Sequence, residues 1–450
     1  MNLRLTPYPE YKDSGLPWLG GIPRHWHTGP GFAAFREKQV KNTGMKEKTV
    51  LSLSYGRIVV KPPEKLHGLV PVSFDTYQIV NPGDIIIRST DLQNDWNSLR
   101  VGLVRDRGII TSAYLCFGTT GALIPEYGYL QLHAFDLMKV FYGMGSGLRQ
   151  NLDFSDFKRM LIFIPPPAEQ SAIVRFLDHA DRRIRRYIGA KRRLIELLNE
   201  QKQAIIHQAV TRGLDPNVRL KPSGIDWLGE VPEHWEVGRL DRFITLQRGV
   251  DITKEQQVQG DIPVVSSGGI SSFHNQFTSR GPGVIVGRKG TVGSVYFLDG
   301  DYWAHDTTLW VKEFSGNHPK FVYHLLRKLD LKRFDTGSAN PTLNRNVVHP
   351  ERVAFPPVDE QRAIASFLDQ RSQKIDSQIR SLSRQIELLW EYRARLVADI
   401  VTGKLDVRGV ELPQSEEAEE LSEVGDETAH DATEEGDEVE AVEDVADAAD

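Results

Sequence analysis

The fold is decided by Pro165-Pro166-Pro167-Ala168-Glu169-Gln170-Ser171 and the run that follows it to Arg212. After the proline stop, apolar residues recur at Ile173, Leu177, Ala180, Ile184, Ile188, Ile195, Leu198, Ile205 and Ala209. Spacings of three and four place them on one narrow stripe of a long helix. A stripe that narrow and long calls for a partner helix rather than a globular core. Pro356-Pro357-Val358-Asp359-Glu360-Gln361 opens the partner, with Ile364, Leu368, Ile375, Ile379, Leu382, Ile386, Leu389, Leu396 and Ile400 on its stripe. The chain is built twice. The seam between the helices is expected to be carried by Ile184, Ile195, Leu198, Ile205, Ile375, Leu382, Ile386, Leu389 and Leu396, with the polar Lys191 fixing register.

The duplication extends outward. Ser14-Gly15-Leu16-Pro17-Trp18-Leu19-Gly20-Gly21-Ile22-Pro23-Arg24-His25-Trp26 is echoed by Ser223-Gly224-Ile225-Asp226-Trp227-Leu228-Gly229-Glu230-Val231-Pro232-Glu233-His234-Trp235. Pro and Gly forbid a helix in these segments, and the tryptophans give each a large apolar surface to bury. They read as irregular docking segments in which His25 and His234 pack rather than catalyse.

Between docking segments and helices lie two stretches of mixed pattern. In the first, Thr49–Tyr55, Arg57–Val60, Tyr77–Val80 and Asp84–Arg88 read as short strands and Tyr129–Tyr142 as a helix. In the second, Ile262–Val265, Val284–Gly287 and Ser294–Phe297 read as strands and Pro319–Leu329 as a helix. The expected fold class is α+β: two pseudo-repeated globular domains separated by two long antiparallel helices. The expected division is 1–164, the helix 165–213, 214–355, the helix 356–404, and a C-terminal segment 405–450. A helix of about 44 residues spans about 66 Å, and about 22 residues of linker reach at most about 75 Å. A parallel pair would stretch that linker almost straight, so an antiparallel pair with the domains at opposite ends is the expected arrangement.

The net charge of −6 conceals an asymmetry, because the segment from Glu411 to Asp450 holds 18 acidic residues and no Lys or Arg. The remainder carries 55 basic against 43 acidic side chains, a net of +12. A basic body favours a polyanion, with nucleic acid the first candidate, while the aromatic-free acidic tail is expected to be disordered. The single cysteine, Cys116, excludes an intrachain disulfide and suits a reducing cytosol. No signal peptide and no apolar stretch of membrane-spanning length is present, so a cytoplasmic protein with no membrane partner is expected.

Three motifs fail as catalytic or cofactor sites. Tyr142-Gly143-Met144-Gly145-Ser146-Gly147 follows a helix where a dinucleotide loop follows a strand. In Gly287-Arg288-Lys289-Gly290-Thr291-Val292-Gly293, Lys289 precedes Gly rather than the Ser or Thr of a phosphate loop. Asn340-Pro341-Thr342 lacks the second proline and the aromatic of an amino-methyltransferase signature. No catalytic residue, metal site or bound cofactor is expected. The same loops do supply donors suited to base edges and phosphates: Arg88, Asn94, Arg149 and Gln150 in the first domain, and Arg288, Lys289, Asn340, Thr342, Asn344 and Arg345 in the second. Arg182, Arg183, Arg185, Arg186, Lys191, Arg192 and Arg193 lie largely off the first seam; a solvated face is the simpler reading and contact with phosphates the sharper one.

Taken together, the twin Trp segments, the Pro-Pro-x-x-Glu-Gln openings and the helix ends Val210-Thr211-Arg212-Gly213-Leu214-Asp215 and Val401-Thr402-Gly403-Lys404-Leu405-Asp406 resemble the specificity subunit of type I restriction-modification enzymes over about Ser14 to Val410. The resemblance implies two target-recognition domains, each reading one half of a bipartite double-stranded DNA site, and a subunit that is not itself catalytic. It implies two methyltransferase subunits, which bind S-adenosylmethionine, and in a restricting complex two nuclease subunits that use ATP and magnesium. The acidic tail lies outside the family pattern. A reading from another class is a coiled-coil scaffold whose domains bind protein or RNA, which accounts for the helices but not for the basic body or the paired donor-rich loops.

Overall fold

A computed structural model describes residues 5–16, 18–62, 64, 73–144, 150–334 and 341–412. The chain forms two compact units, one comprising Met1–Arg192 with Ser383–Asp450 and the other Arg193–Leu382. The acidic tail beyond residue 412 falls outside the described residues.

Both long helices form, over Pro167–Arg212 and Val358–Val401. Proline suits such starts because the first-turn N–H groups have no intrahelical acceptor. Each helix ends at a glycine in the left-handed region, Gly213 at φ 73° and Gly403 at φ 78°, the usual means of turning a chain off a helix. The hydroxyls of Thr211 and Thr402 donate back to the carbonyls of His207 and Ala398, each at 2.7 Å.

The Glu and Gln of each helix opening have distinct tasks. In the first unit the buried Glu169 carboxylate accepts from Trp26 Nε1 at 2.8 Å and from the Tyr8 hydroxyl, and lies 2.7 Å from His25 Nε2. In the second, Glu360 accepts from Trp235 Nε1 at 3.1 Å and lies 2.7 Å from His234 Nε2. Gln170 donates to the Ala122 and Pro165 carbonyls and accepts from Ile124 N–H; Gln361 donates to Pro356 and Asn317 and accepts from His318 N–H. Each glutamine thereby receives an N–H at the start of the short helix, Pro125–Leu137 or Pro319–Lys328, that packs in the same unit.

The tryptophan meets the helix-ending glycine as well. A Cβ on Gly403 would approach Pro23 Cδ to 2.3 Å and Trp26 to 3.1 Å, and one on Gly213 would lie 2.7 Å from Glu360 Oε1 and 3.4 Å from Trp235. Within each unit, therefore, the start of one long helix and the end of the other share one indole. Cross-contacts follow the same sense. Asp181 pairs with Arg393 and Lys191 Nζ donates to Gln385 in the first unit, and Lys202 pairs with Asp376 at 2.6 Å in the second. Rising numbers on one helix meet falling numbers on the other, so the contacts inside each unit are antiparallel. Ile184, Ile375 and Leu396 are buried, whereas Ile195, Leu198, Ile205, Leu382, Ile386 and Leu389 are half-buried.

The duplication reappears in the sheets. The first unit has a four-stranded antiparallel sheet in the order Phe35–Lys38, Leu115–Thr119, Ile85–Ile87, Val101–Leu103. The second has the same order with Thr245–Arg248, Thr308–Glu313, Gly283–Gly287, Val295–Leu298. The central strands are buried on both faces, which explains their unbroken Ile and Val runs. In each unit a strand leaving the docking segment, His27–Pro30 or Glu236–Arg239, pairs with the strand entering the long helix, Leu161–Ile164 or Arg352–Phe355.

Two expectations need correction. The docking segments are not irregular: Tyr11–Asp13 pairs with Gly21–Pro23, and Leu220–Pro222 with Glu230–Pro232. Left-handed glycines, Gly15 and Gly20 in one and Gly224 and Gly229 in the other, fold each back on itself. The helix placed at Tyr129–Tyr142 runs instead over Pro125–Leu137, followed by a 3₁₀ turn at Val140–Gly143. Pro125 starts it early, and Lys139 at φ 59° prevents its continuation.

Two measurements test this packing. Glu169→Ala strands the Trp26 N–H and the Tyr8 hydroxyl in the core and is expected to cost the first unit about 2–4 kcal/mol in urea unfolding; Glu360→Ala, at a half-buried carboxylate, is expected to cost less. His133 and His324 are buried; neither ring nitrogen of His133 has a hydrogen-bond partner, and His324 Nε2 lies 3.8 Å from Asp369, too far for a full hydrogen bond. Burial lowers their pKa to about 3 and about 4. Both folded values lie below the unfolded value near 6.5, so the stability they contribute is complete above pH 6.5 and is lost as pH falls towards 4 and then 3. Each is worth about 1.4 kcal/mol per pH unit in that window. A His133→Leu/His324→Leu variant should show a correspondingly shallower loss of stability between pH 6.5 and 4.

Candidate nucleic-acid interface

In both units the structure joins the two donor-bearing loops picked out in sequence. In the first, Leu152 N–H donates to the Ser89 carbonyl at 2.8 Å and Asp91 N–H to Asn151 Oδ1 at 3.1 Å. In the second, Leu343 N–H donates to the Arg288 carbonyl at 2.9 Å, and Lys289 and Thr342 form a β-bridge. Each pair consists of a loop leaving a central sheet strand and a loop entering a short capped helix. Those helices are Phe154–Arg159, capped by Asp153, and Arg345–Val348, capped by Asn344.

The loops are held differently. In the first unit Arg100, fully buried, inserts its guanidinium beneath residues 88–95. Its nitrogens donate to the Thr90 and Asp95 carbonyls at 2.7 Å, to Asp91 at 3.1 Å, to Arg88 at 3.4 Å and to the Tyr142 hydroxyl at 3.2 Å. One planar cation thus satisfies a turn of carbonyls that includes the left-handed Asp91, at φ 56°. Asp136 accepts from Arg100 N–H at 2.6 Å, and burial raises its carboxyl to about 6 against the pull of that N–H and of nearby Lys139 and Arg100.

In the second unit the Arg288 and Lys289 N–H groups donate to the Thr307 carbonyl at 2.8 and 3.1 Å. Thr307 sits in a network in which His305 contacts Asp251, Asp306 and Thr307, while Asp306 accepts from Arg248 at 2.8 Å. Asp251, His305 and Asp306 have ligand atoms within 4.8 Å of one another, but Asp306 is already engaged by a guanidinium. The segment Arg288–Ser294 closes on itself, Gly293 N–H donating to Gly287 at 2.9 Å, and leads into a strand rather than a helix. That geometry excludes a phosphate loop.

The candidate residues divide accordingly. Arg88 is paired with Asp95 at 3.4 Å, and Asn94 is exposed with its amide on Asp91 at 2.7 Å. Gln150 adopts φ 49° at the loop junction. Arg288 bonds through its side chain to the Asp306 carbonyl at 3.3 Å, and burial first, then the neighbouring Arg248, lower its pKa from the ordinary guanidinium value. A cation so placed gains from an incoming anion. Lys289 and Arg345 are exposed, Thr342 is half-buried, and the Asn344 oxygen is used to cap Asn346 N–H. Arg149 and Asn340 lie outside the described residues.

Along the first helix, Arg182, Arg185 and Arg193 pair with Asp178, Asp181 and Glu196, and Arg183 bonds the Tyr187 hydroxyl. Arg186 is exposed, and Lys191 reaches Gln385.

Sequence reasoning missed Arg100, Trp96 and the His305 network. Arg100 alone left a signal, a single cation inside Leu99-Arg100-Val101-Gly102-Leu103.

Comparison with known proteins gives one family. The family described as "Type I restriction modification DNA specificity domain" matches residues 232–388. The chain is similar to the type I restriction enzyme MjaVIII specificity subunit of Methanocaldococcus jannaschii, 20% identical over 359 residues that cover 73% of this chain and 82% of that protein. It is similar to the putative MjaX specificity subunit of the same organism, 23% identical over 58% of this chain and 63% of that one. A solved structure described as "Structural basis underlying complex assembly and conformational transition of the type I R-M system" shares the fold, with a TM-score of 0.66 and 13% identity over 85% of this chain and 99% of that one.

Arg100→Met removes the guanidinium from four carbonyls beneath the first loop; Asp91 and Asp95 keep one donor each, in Asp95 N–H and the Tyr142 hydroxyl, and those of Arg88 and Thr90 lose theirs. The expected loss is about 3 kcal/mol or more in unfolding of the first unit, with faster amide exchange across residues 89–97.

Proposed function

We propose that this chain, which belongs to the family of type I restriction-modification specificity subunits, reads a bipartite DNA site, with one half assigned to each unit. The observation that carries this reading is the repeated junction of a post-strand loop with a loop entering a capped helix. It recurs as Ser89 with Leu152 and as Arg288 with Leu343, yet with different side chains in the two copies. The same scaffold with different donors is what two unequal half-sites require. The basic body supplies the sequence-independent attraction to phosphates.

In this reading the chain recognises and its partners react. Tyr187, Leu388, Trp390 and Tyr392 are exposed on the helix portions of the first unit and suit docking of methyltransferase subunits. S-adenosylmethionine belongs to those subunits, and ATP and magnesium to nuclease subunits where a restricting complex forms. A scaffold that binds protein or RNA leaves the duplicated donor junctions without a purpose.

The test is a methylation map of host DNA modified by the complex. Arg288→Ala is expected to weaken or relax recognition in one half of the modified motif, by about tenfold or more for a lost bidentate contact, and to leave the other half unchanged. Equal loss in both halves contradicts the assignment of one unit to each half.

A further inference from the structure

The first reading unit carries an exposed indole for which the second has no counterpart. Trp96, at the end of the loop supported by Arg100, is 54% exposed. It is nonetheless held firmly. One face stacks on Tyr142 with centroids 4.4 Å apart and an interplanar angle of 25°. Its Nε1–H donates to the Gln93 carbonyl at 3.1 Å, and Lys139 Nζ donates to the Trp96 carbonyl. Tyr142 is fixed in turn: its hydroxyl donates to the Asp95 carbonyl at 2.8 Å and accepts from Arg100 Nε, while Lys139 Nζ lies 4.9 Å from its ring centroid.

The chemistry of such a group is narrow. With its only polar hydrogen already engaged inside the loop, the indole offers a partner no hydrogen bond. It offers a rigid apolar plane, with one face covered by Tyr142 and the other side toward solvent. The surrounding loop is polar, with Gln93, Asn94 and Asn97 exposed beside it. An apolar plane among amide side chains suits a duplex whose edges take hydrogen bonds and whose base steps take an apolar wedge.

We infer that Trp96 is a base-stacking wedge, inserted at one base step within or beside the half-site read by the first unit, and that it adds specificity through the deformability of that step. The inference rests on the DNA-reading function proposed above. Flexible pyrimidine–purine steps open at lowest cost, so a wedge discriminates among sequences at positions no donor touches. In the second unit the corresponding connection, Arg288–Ser294, is a tight turn, and its largest apolar side chain, Val292, is buried. A wedge at this connection therefore belongs to the first unit alone.

The test uses the full chain in complex with its methyltransferase partner and duplexes carrying the motif obtained from genomic methylation. 2-Aminopurine is placed at successive positions through both half-sites. The native complex is expected to raise fluorescence several-fold at one step in or beside one half-site. Trp96→Ala is expected to abolish that rise and weaken binding about tenfold or more, while Trp96→Phe retains part of both. Because the side chain is exposed, circular dichroism and unfolding of the variants should match the native chain. Unchanged fluorescence and affinity in Trp96→Ala overturn the wedge while leaving the DNA-reading function intact, as does a native complex that binds specifically without unstacking either half-site. Failure of the native complex to bind the motif specifically removes the DNA-reading function and the wedge with it.

Discussion

A carboxylate shared by an indole and an imidazole sets the construction of each unit. Glu169 and Glu360 stand in the first turn of their helices, where a negative charge is favoured by the helix dipole. Each receives the Nε1–H of a tryptophan delivered by a β-hairpin far away in sequence. The same indole covers the glycine at which the other long helix stops. Three chain segments are thus fixed by one side chain, and the adjacent glutamine fixes a fourth, the short helix at the edge of the sheet. In the first unit the arrangement is drier, because Tyr8 closes over Glu169 and Arg408 lies over the Tyr8 ring at 4.9 Å.

Much of this was legible in the sequence, for identifiable reasons. Helix periodicity survives a long chain, and two copies at a constant offset of 191 residues, as from Ile173 to Ile364 and from Leu198 to Leu389, fix both starts without any knowledge of packing. The hydrophobic strands at Ile85–Ile87 and Val284–Val286 were visible because burial on both faces leaves no polar positions. The role of Glu169 was not visible. Its partners Trp26 and His25 lie more than 140 residues away, and His25 had no carboxylate near it in sequence to suggest the contact. The hairpins within the Trp segments were hidden by Pro and Gly, which discourage a helix without specifying a turn.

For the candidate interface, residue type identified the right loops but not the state of each side chain. Arg88 and Arg288 look equivalent in sequence. Arg88 is matched by Asp95, whereas Arg288 bonds the Asp306 carbonyl and is repelled by Arg248 more than the Asp306 carboxylate attracts it. Asn344 is spent as a helix cap. Neutralised, repelled and capped residues differ through neighbours contributed by other strands, which spacing along the chain cannot reveal.

Arg100 supports the first loop through backbone carbonyls, at Arg88, Thr90, Asp91 and Asp95. A carbonyl is present whatever side chain the residue bears. Substitutions at Gln93, Asn94 or Asn97 therefore leave these supports in place while changing the donors and acceptors displayed. Shape and message are encoded by separate atoms, so such a loop is free to acquire a new preference by point mutation without first losing its fold.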